Sequence, residues 1–197
     1  MSIGDILPGI LAECGLDVLA PDISSSDFQM RQIRALIDAA GKDISTRAQW
    51  AGSLNYDTIP ASATAYALPG DFQEMANGGA ILQVTSGLPI RPITDTTVWQ
   101  FLVSNPSDAL YYHIFQNGVL FSSEIPAGGA TFYYVSKNWL GNKAAVTDNA
   151  DQPVFSEDLL ARGVVWRWRR QKGLDYEDLM AEFESDLEAA ILADRGA

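Results

Sequence analysis

Met30, Ile33, Ile37, Ala40 and Ile44 recur at alternating spacings of three and four residues, and Tyr176, Leu179, Met180, Phe183, Leu187, Ala190 and Ile191 do the same near the other end of the chain. Such spacing puts each set on one side of an α-helix, and a one-sided apolar stripe has to be buried. Between them the pattern changes to short β-prone runs bounded by Gly, Pro, Asn and Ser: "TAYALP", "AILQVT", "PIRPI", "LYYHIFQ", "VLFSS" and "TFYYVSK". The two helical ends are each other's most available packing partners. The expected fold is therefore α+β, with a helical body formed by N- and C-terminal helices and a small antiparallel β-domain inserted between them. The divisions expected are an N-terminal arm and helices over 1–54, the β-domain over 55–149, and the completing C-terminal helices over 150–197.

Local signals sharpen this outline. Asp27 suits the N-cap of the first long stripe, which breaks between Ser45 and Trp50. The preceding "IGDILPGILAECGL" reads either as a shorter helix, with Pro8 near its start and Gly15 past its end, or as an ordered arm. Asn117-Gly118 fits a two-residue hairpin turn, since both residues tolerate positive φ. Helix resumes after Pro153: Ser156 can cap, Glu157 and Asp158 suit the first turn, and Gly173 suits the left-handed position after the last. A final helix opens at Asp175.

At 197 residues, 47% of them hydrophobic and 19% charged, the chain has the composition of a folded globular protein. Cys14 is the only cysteine and His113 the only histidine, which excludes an internal disulfide and leaves too few soft ligands for a transition-metal site. No cofactor is expected. The N-terminal segment lacks the basic stretch of a secretion signal, and no uncharged run is long enough to span a membrane. There is no phosphate-binding loop or dinucleotide fingerprint. Pairs such as Asp71 with Glu74, or Asp148 with Asp151, are expected by chance among 25 acids, and His113 reads as a strand packing residue. The sequence does not read as an enzyme.

Against a formal net charge of -12, "LARGVVWRWRRQKGLD" crowds Arg162, Arg167, Arg169, Arg170 and Lys172 into eleven positions. On a helix, Leu160, Val164 and Trp168 make a core side, to be joined by Tyr176, Leu179, Phe183 and Leu187 of the last helix. Arg162, Trp166, Arg169 and Arg170 share another side with Leu159, and Arg167 lies near the boundary. One reading has Trp166 closing the core edge, with the arginines solvated or paired to the acidic last helix. The other is a protein interface of Arg162, Trp166, Arg167, Arg169, Arg170 and Lys172, because Trp and Arg are enriched among interface hot spots. Direct nucleic-acid binding fits poorly, since Asp175, Glu177, Asp178, Glu182, Glu184, Asp186 and Glu188 follow at once.

The order of features resembles the head-to-tail adaptor, or connector, proteins of tailed bacteriophages and related gene transfer agents, in the tail tubular protein A-like group. The stretches that carry the resemblance are "ILAECGLDVLAP", "QIRALIDAAGKDISTRAQWAGSL", "YALPGDFQEM", "YYHIFQNGVLFSSEIPAGGATFYYVSKNWL" and "DNADQPVFSEDLLARGVVWRWRRQKGLDYEDL". Most specific are the run from Trp166 to Tyr176 and the "Y-x-L-P-x-D-F" strand end. The resemblance implies a structural virion protein at the neck, assembled in the bacterial host cytoplasm, without catalytic residues. It implies a ring of further copies of itself, commonly twelve, beneath the portal protein. That ring would enclose genomic DNA without sequence-specific binding and dock a stopper or tail protein. Two alternatives stand beside it. One is a stopper or tail-terminator lower in the neck. The other is a carbohydrate- or receptor-binding β-module, in which Tyr111, Tyr112, Tyr133, Tyr134 and Trp139 stack on sugars.

Overall fold

The computed structural model describes residues 2–78 and 81–196. The fold is α+β, and it divides into two compact units: residues 1–53 with 137–197, and residues 54–136.

The first unit is helical. Helix α1 (Ile3–Glu13) buries Ile3, Ile6, Leu7, Ile10 and Leu11, so the N-terminal segment is a packed helix rather than an arm. Pro8 lies in the middle of α1, not near its start; Gly15, at φ +69, follows the helix as expected. The Asp5 carboxylate accepts from the Ser2 backbone N–H at 2.7 Å and its hydroxyl at 3.0 Å, closing the first turn. Helix α2 (Phe28–Arg47) is capped by Asp27, whose side chain accepts from the Gln29 and Met30 N–H groups. Its whole predicted stripe, Met30, Ile33, Ile37, Ala40 and Ile44, is buried.

Near the other end of the sequence, α4 (Glu157–Lys172) starts with two acids, ends with three bases, and stops at Gly173 in the left-handed conformation, in agreement with the helix dipole. Ser156 holds the N-cap position, though its hydroxyl makes no capping bond. Helix α5 (Glu177–Asp194) begins two residues later than the sequence signal at Asp175. Leu160, Val164, Trp168, Phe183 and Leu187 join one core, and Tyr176 and Leu179 pack at its edge.

Residues 137–149, expected in the β-domain, belong to this helical unit. Trp139, 1% exposed, lies against α2 where Gly41 leaves room: a Cβ at position 41 would stand 2.5 Å from the indole. The Trp139 N–H donates to the Ala144 carbonyl, and the Val146 N–H donates to Asp38 at 2.8 Å. Asn149 bonds both the Ile23 N–H and the Pro21 carbonyl. The Asn149 and Asp151 carbonyls receive the free N–H groups of Gly4 and Ile3 that open α1. This loop carries no helical or strand period, which is why its allegiance was invisible in the sequence.

The second unit holds two sheets. In one, β8 (Ala130–Ser136) is flanked on one side by β1 (Leu54–Ile59) and on the other by β3 (Phe72–Met75) and β4 (Ile81–Gln83), all antiparallel. In the other, β2 (Ala65–Ala67), β7 (Gly118–Phe121) and β6 (Tyr111–Phe115) are antiparallel, while β5 (Arg91–Pro92) lies parallel to β6. Ala130, Phe132 and Tyr134 alternate inward on β8 and share a core with Tyr112, Val119 and Phe121 of the other sheet.

Two expectations change within this unit. Phe115 pairs with Gly118, so the hairpin loop is Gln116-Asn117, one residue earlier than predicted, with Gln116 at φ +54. Gly118 is a strand residue whose missing side chain leaves room for the Tyr66 carbonyl. The segment from Thr96 to Ser104, assigned no element from the sequence, is the short helix α3, capped by Asp95 through the Thr97 and Val98 N–H groups.

Candidate interface of the helical unit

Trp166 is buried, with 7% of its surface exposed, rather than turned outward. Tyr176 and Phe183 pack against its ring, at centroid distances of 6.4 and 6.1 Å, and the Arg167 guanidinium lies 4.2 Å from the indole centroid. Arg167 also pairs with Asp43 and donates to the Gly163 carbonyl, which ties α4 to α2. Burial pulls its pKa below the ordinary guanidinium value, against the pull of Asp43, and it remains a cation. Leu159, expected beside the arginines, is buried too.

The other basic residues divide into engaged and free. Arg162 pairs with Asp186 across α4 and α5, as the edge-closing reading supposed. Arg169 donates to the Asp175 carbonyl at 3.3 Å, and the Lys172 ammonium sits 4.3 Å from the Trp168 centroid. Arg170 is exposed and has no partner among the described residues. Of the six interface candidates, it alone holds a guanidinium ready for another molecule.

Beside Arg170 the structure opens a groove of about 730 Å³ between α2 and α4, lined by Phe28, Arg31, Leu36, Trp166, Arg167 and Arg170 among others. Phe28, one of the lining residues, is 63% exposed, and the side chain of Arg31, exposed like Arg170, likewise has no partner among the described residues. The indole N–H of Trp166, one of the lining residues, is buried and has no hydrogen-bond acceptor among the described residues. Sequence reasoning located the α4 wall of this groove and missed the α2 wall. The available signal was Phe28 and Leu36, two large hydrophobes lying off the main stripe of α2.

The remaining polar candidates have structural roles. His113 Nδ1 donates to the Ile93 carbonyl at 2.7 Å, and its ring stacks between Trp99 and Phe115. Asp71 accepts from the Tyr134 and Ser136 hydroxyls, and Asp57 accepts from the Tyr66 hydroxyl. Burial first, then these carboxylates, push the Tyr66 and Tyr134 pKa values up to about 12. Asp151 accepts from Lys143 at 2.6 Å and from the Thr147 and Asp148 N–H groups. Burial works to raise its pKa, but these donors outweigh it and the value is lowered. Burial, with Glu13 beside it, pushes the Cys14 thiol up to about 11, against Arg169.

Among the described residues no group of three or more His, Cys, Asp or Glu is placed to hold a metal ion, and no helix is long and apolar enough to cross a membrane. The five aromatics that suggested a sugar platform differ in burial and in the unit they belong to. Tyr112 and Tyr134 are core residues of the β unit, Tyr133 is exposed on it, and Trp139 belongs to the helical unit. No known protein-family profile matches the chain, and no curated protein matches it.

Proposed function

We propose that this chain is a structural protein of the phage-type head-to-tail junction, an adaptor that forms a ring of its own copies beneath the portal and extends the DNA channel. The reading rests on the resemblance carried by Trp166 to Tyr176 and the "Y-x-L-P-x-D-F" strand end. The observation that best supports it is the helical body itself, built from both ends of the chain around an inserted β unit, the layout that the resemblance implies.

Charge fits the role. A net charge of -12 gives the wall of a DNA conduit little hold on phosphates, so the duplex stays mobile within it. The basic residues of this region then serve protein contacts: Arg162 and Arg167 brace α4 against α5 and α2, and Arg31 and Arg170 are offered to a neighbour. Portal, stopper or tail proteins are the other partners in this reading.

Electron microscopy of particles from a host with the gene disrupted, beside a complemented control, tests it. The expected result is DNA-filled heads without tails, or heads that have leaked their genome. Complete tailed particles would overturn the proposal.

A further inference from the structure

We infer that the groove between α2 and α4 is the seat for the outward face of α5 from a second copy of this chain. The inference rests on the ring reading above and specifies the contact within it.

Two observations meet at this groove. Phe28, Leu36 and Trp166 give it an apolar lining. It carries from each wall one arginine whose side chain has no partner among the described residues, Arg31 on α2 and Arg170 on α4. A groove with those features is matched by an occupant that is narrow and acidic on both flanks.

Helix α5 presents such a surface. Its inward stripe is spent on Phe183 and Leu187, and the opposite side shows Asp178, Ala181, Glu182, Ser185, Glu188, Ala189 and Leu192, all exposed. Ala181, Ser185 and Ala189 let another backbone approach closely. Glu182 and Glu188 lie on opposite flanks of that line, where each can meet an arginine from one wall of the groove. None of Asp178, Glu182 and Glu188 has a partner among the described residues, whereas Glu184 and Asp186 are already paired with Arg47 and Arg162.

Within one chain these two surfaces do not meet, because α5 turns its other side to the core. Between copies they join one surface to a different surface. Such a contact does not close as a twofold dimer; it repeats head to tail, and it closes a ring when the rotation allows. Other occupants, such as an acidic helix of a foreign protein, would share the charge but not the pairing with α5.

The test is disulfide capture between two full-length variants in a Cys14→Ser background, one carrying Ala35→Cys in the groove and the other Ser185→Cys on α5. Mixed at high concentration and oxidised, they should give a mixed dimer in a yield about tenfold above that of Ala35→Cys with a control cysteine at Ser107 in the β unit. Gln171→Cys replaces Ala35→Cys if the latter does not fold. Adding Arg170→Glu to the groove variant should suppress capture, and Glu182→Arg in the other partner should restore it. Capture no better than the control, or insensitive to the charge reversals, overturns the contact. The gene-disruption result is independent: tailless heads without capture would leave the adaptor reading standing and this contact wrong, and capture with intact tails the reverse.

Discussion

The β unit builds its core from one uninterrupted stretch, 54–136, whereas the helical unit draws its core from residues 1–53 and 137–197. In the helical unit a few large side chains fasten distant segments: Trp139 on Gly41 of α2, Arg167 on Asp43, and the Trp168 N–H on the Cys14 carbonyl at 3.2 Å. In the β unit the fastening is by neighbouring strands and aromatic rings, such as Phe132 against Phe72 and Tyr134. Several of its large apolar residues, including Phe101, Phe115 and Tyr56, stay exposed. The difference teaches where each unit is vulnerable: single contacts across long sequence distances decide the helical unit, and cooperative strand pairing decides the other.

Trp139→Ala gives the largest expected effect. Removing a fully buried indole from its seat on α2 should lower stability by about 3–5 kcal/mol in urea unfolding. A loss under about 1 kcal/mol, the range of a surface change, would break the comparison by returning residues 137–149 to a peripheral position.

Asp151→Asn comes next. The variant leaves the Lys143 ammonium unmatched and weakens the bonds that hold the Thr147-Asp148 turn, for about 1–3 kcal/mol at neutral pH. Because the folded-state pKa of Asp151 is lowered, its contribution is present above its unfolded value of 3.8 and is lost as pH falls through the folded one. Wild type and variant should therefore converge in acid. A gap that stays constant from pH 7 to pH 3 would mean that the carboxylate charge is not what holds this loop.

The smallest effect belongs to the β unit. Phe101→Ser, on the exposed side of α3, should change stability by no more than about 0.5 kcal/mol while making the surface less sticky. A large loss of stability would show that α3 packs through that face and that the two units are less different than they look.

The legibility of the sequence followed the same division. The stripes of α2 and α5, the Asp27 cap and the Gly173 stop were all readable, because helix periodicity and capping depend on residues within a turn or two of one another. The hairpin was readable to within one residue; Gly118 was needed for space beside the Tyr66 carbonyl rather than for positive φ, and only the third strand could reveal that. Helix α3 was missed because its nine residues are rich in β-branched and aromatic side chains, whose local preference is for strand.

The same reasoning divides the interface candidates. Their clustering on α4 was visible from spacing, and so was the acidic character of the helix that follows. Which of them are free was not. Arg162, Arg167 and Arg169 look alike in sequence to Arg170, and only the positions of Asp186, Asp43 and the Asp175 carbonyl distinguish them. Sequence by itself determined the element types, the α+β class and the segregation of charge, since these are local or compositional. Tertiary structure alone decided that Trp166 is inside, that residues 137–149 belong to the helices, and that Phe28 and Arg31 complete a groove with Arg170. Each of those facts is a meeting of residues that short-range propensity cannot bring together.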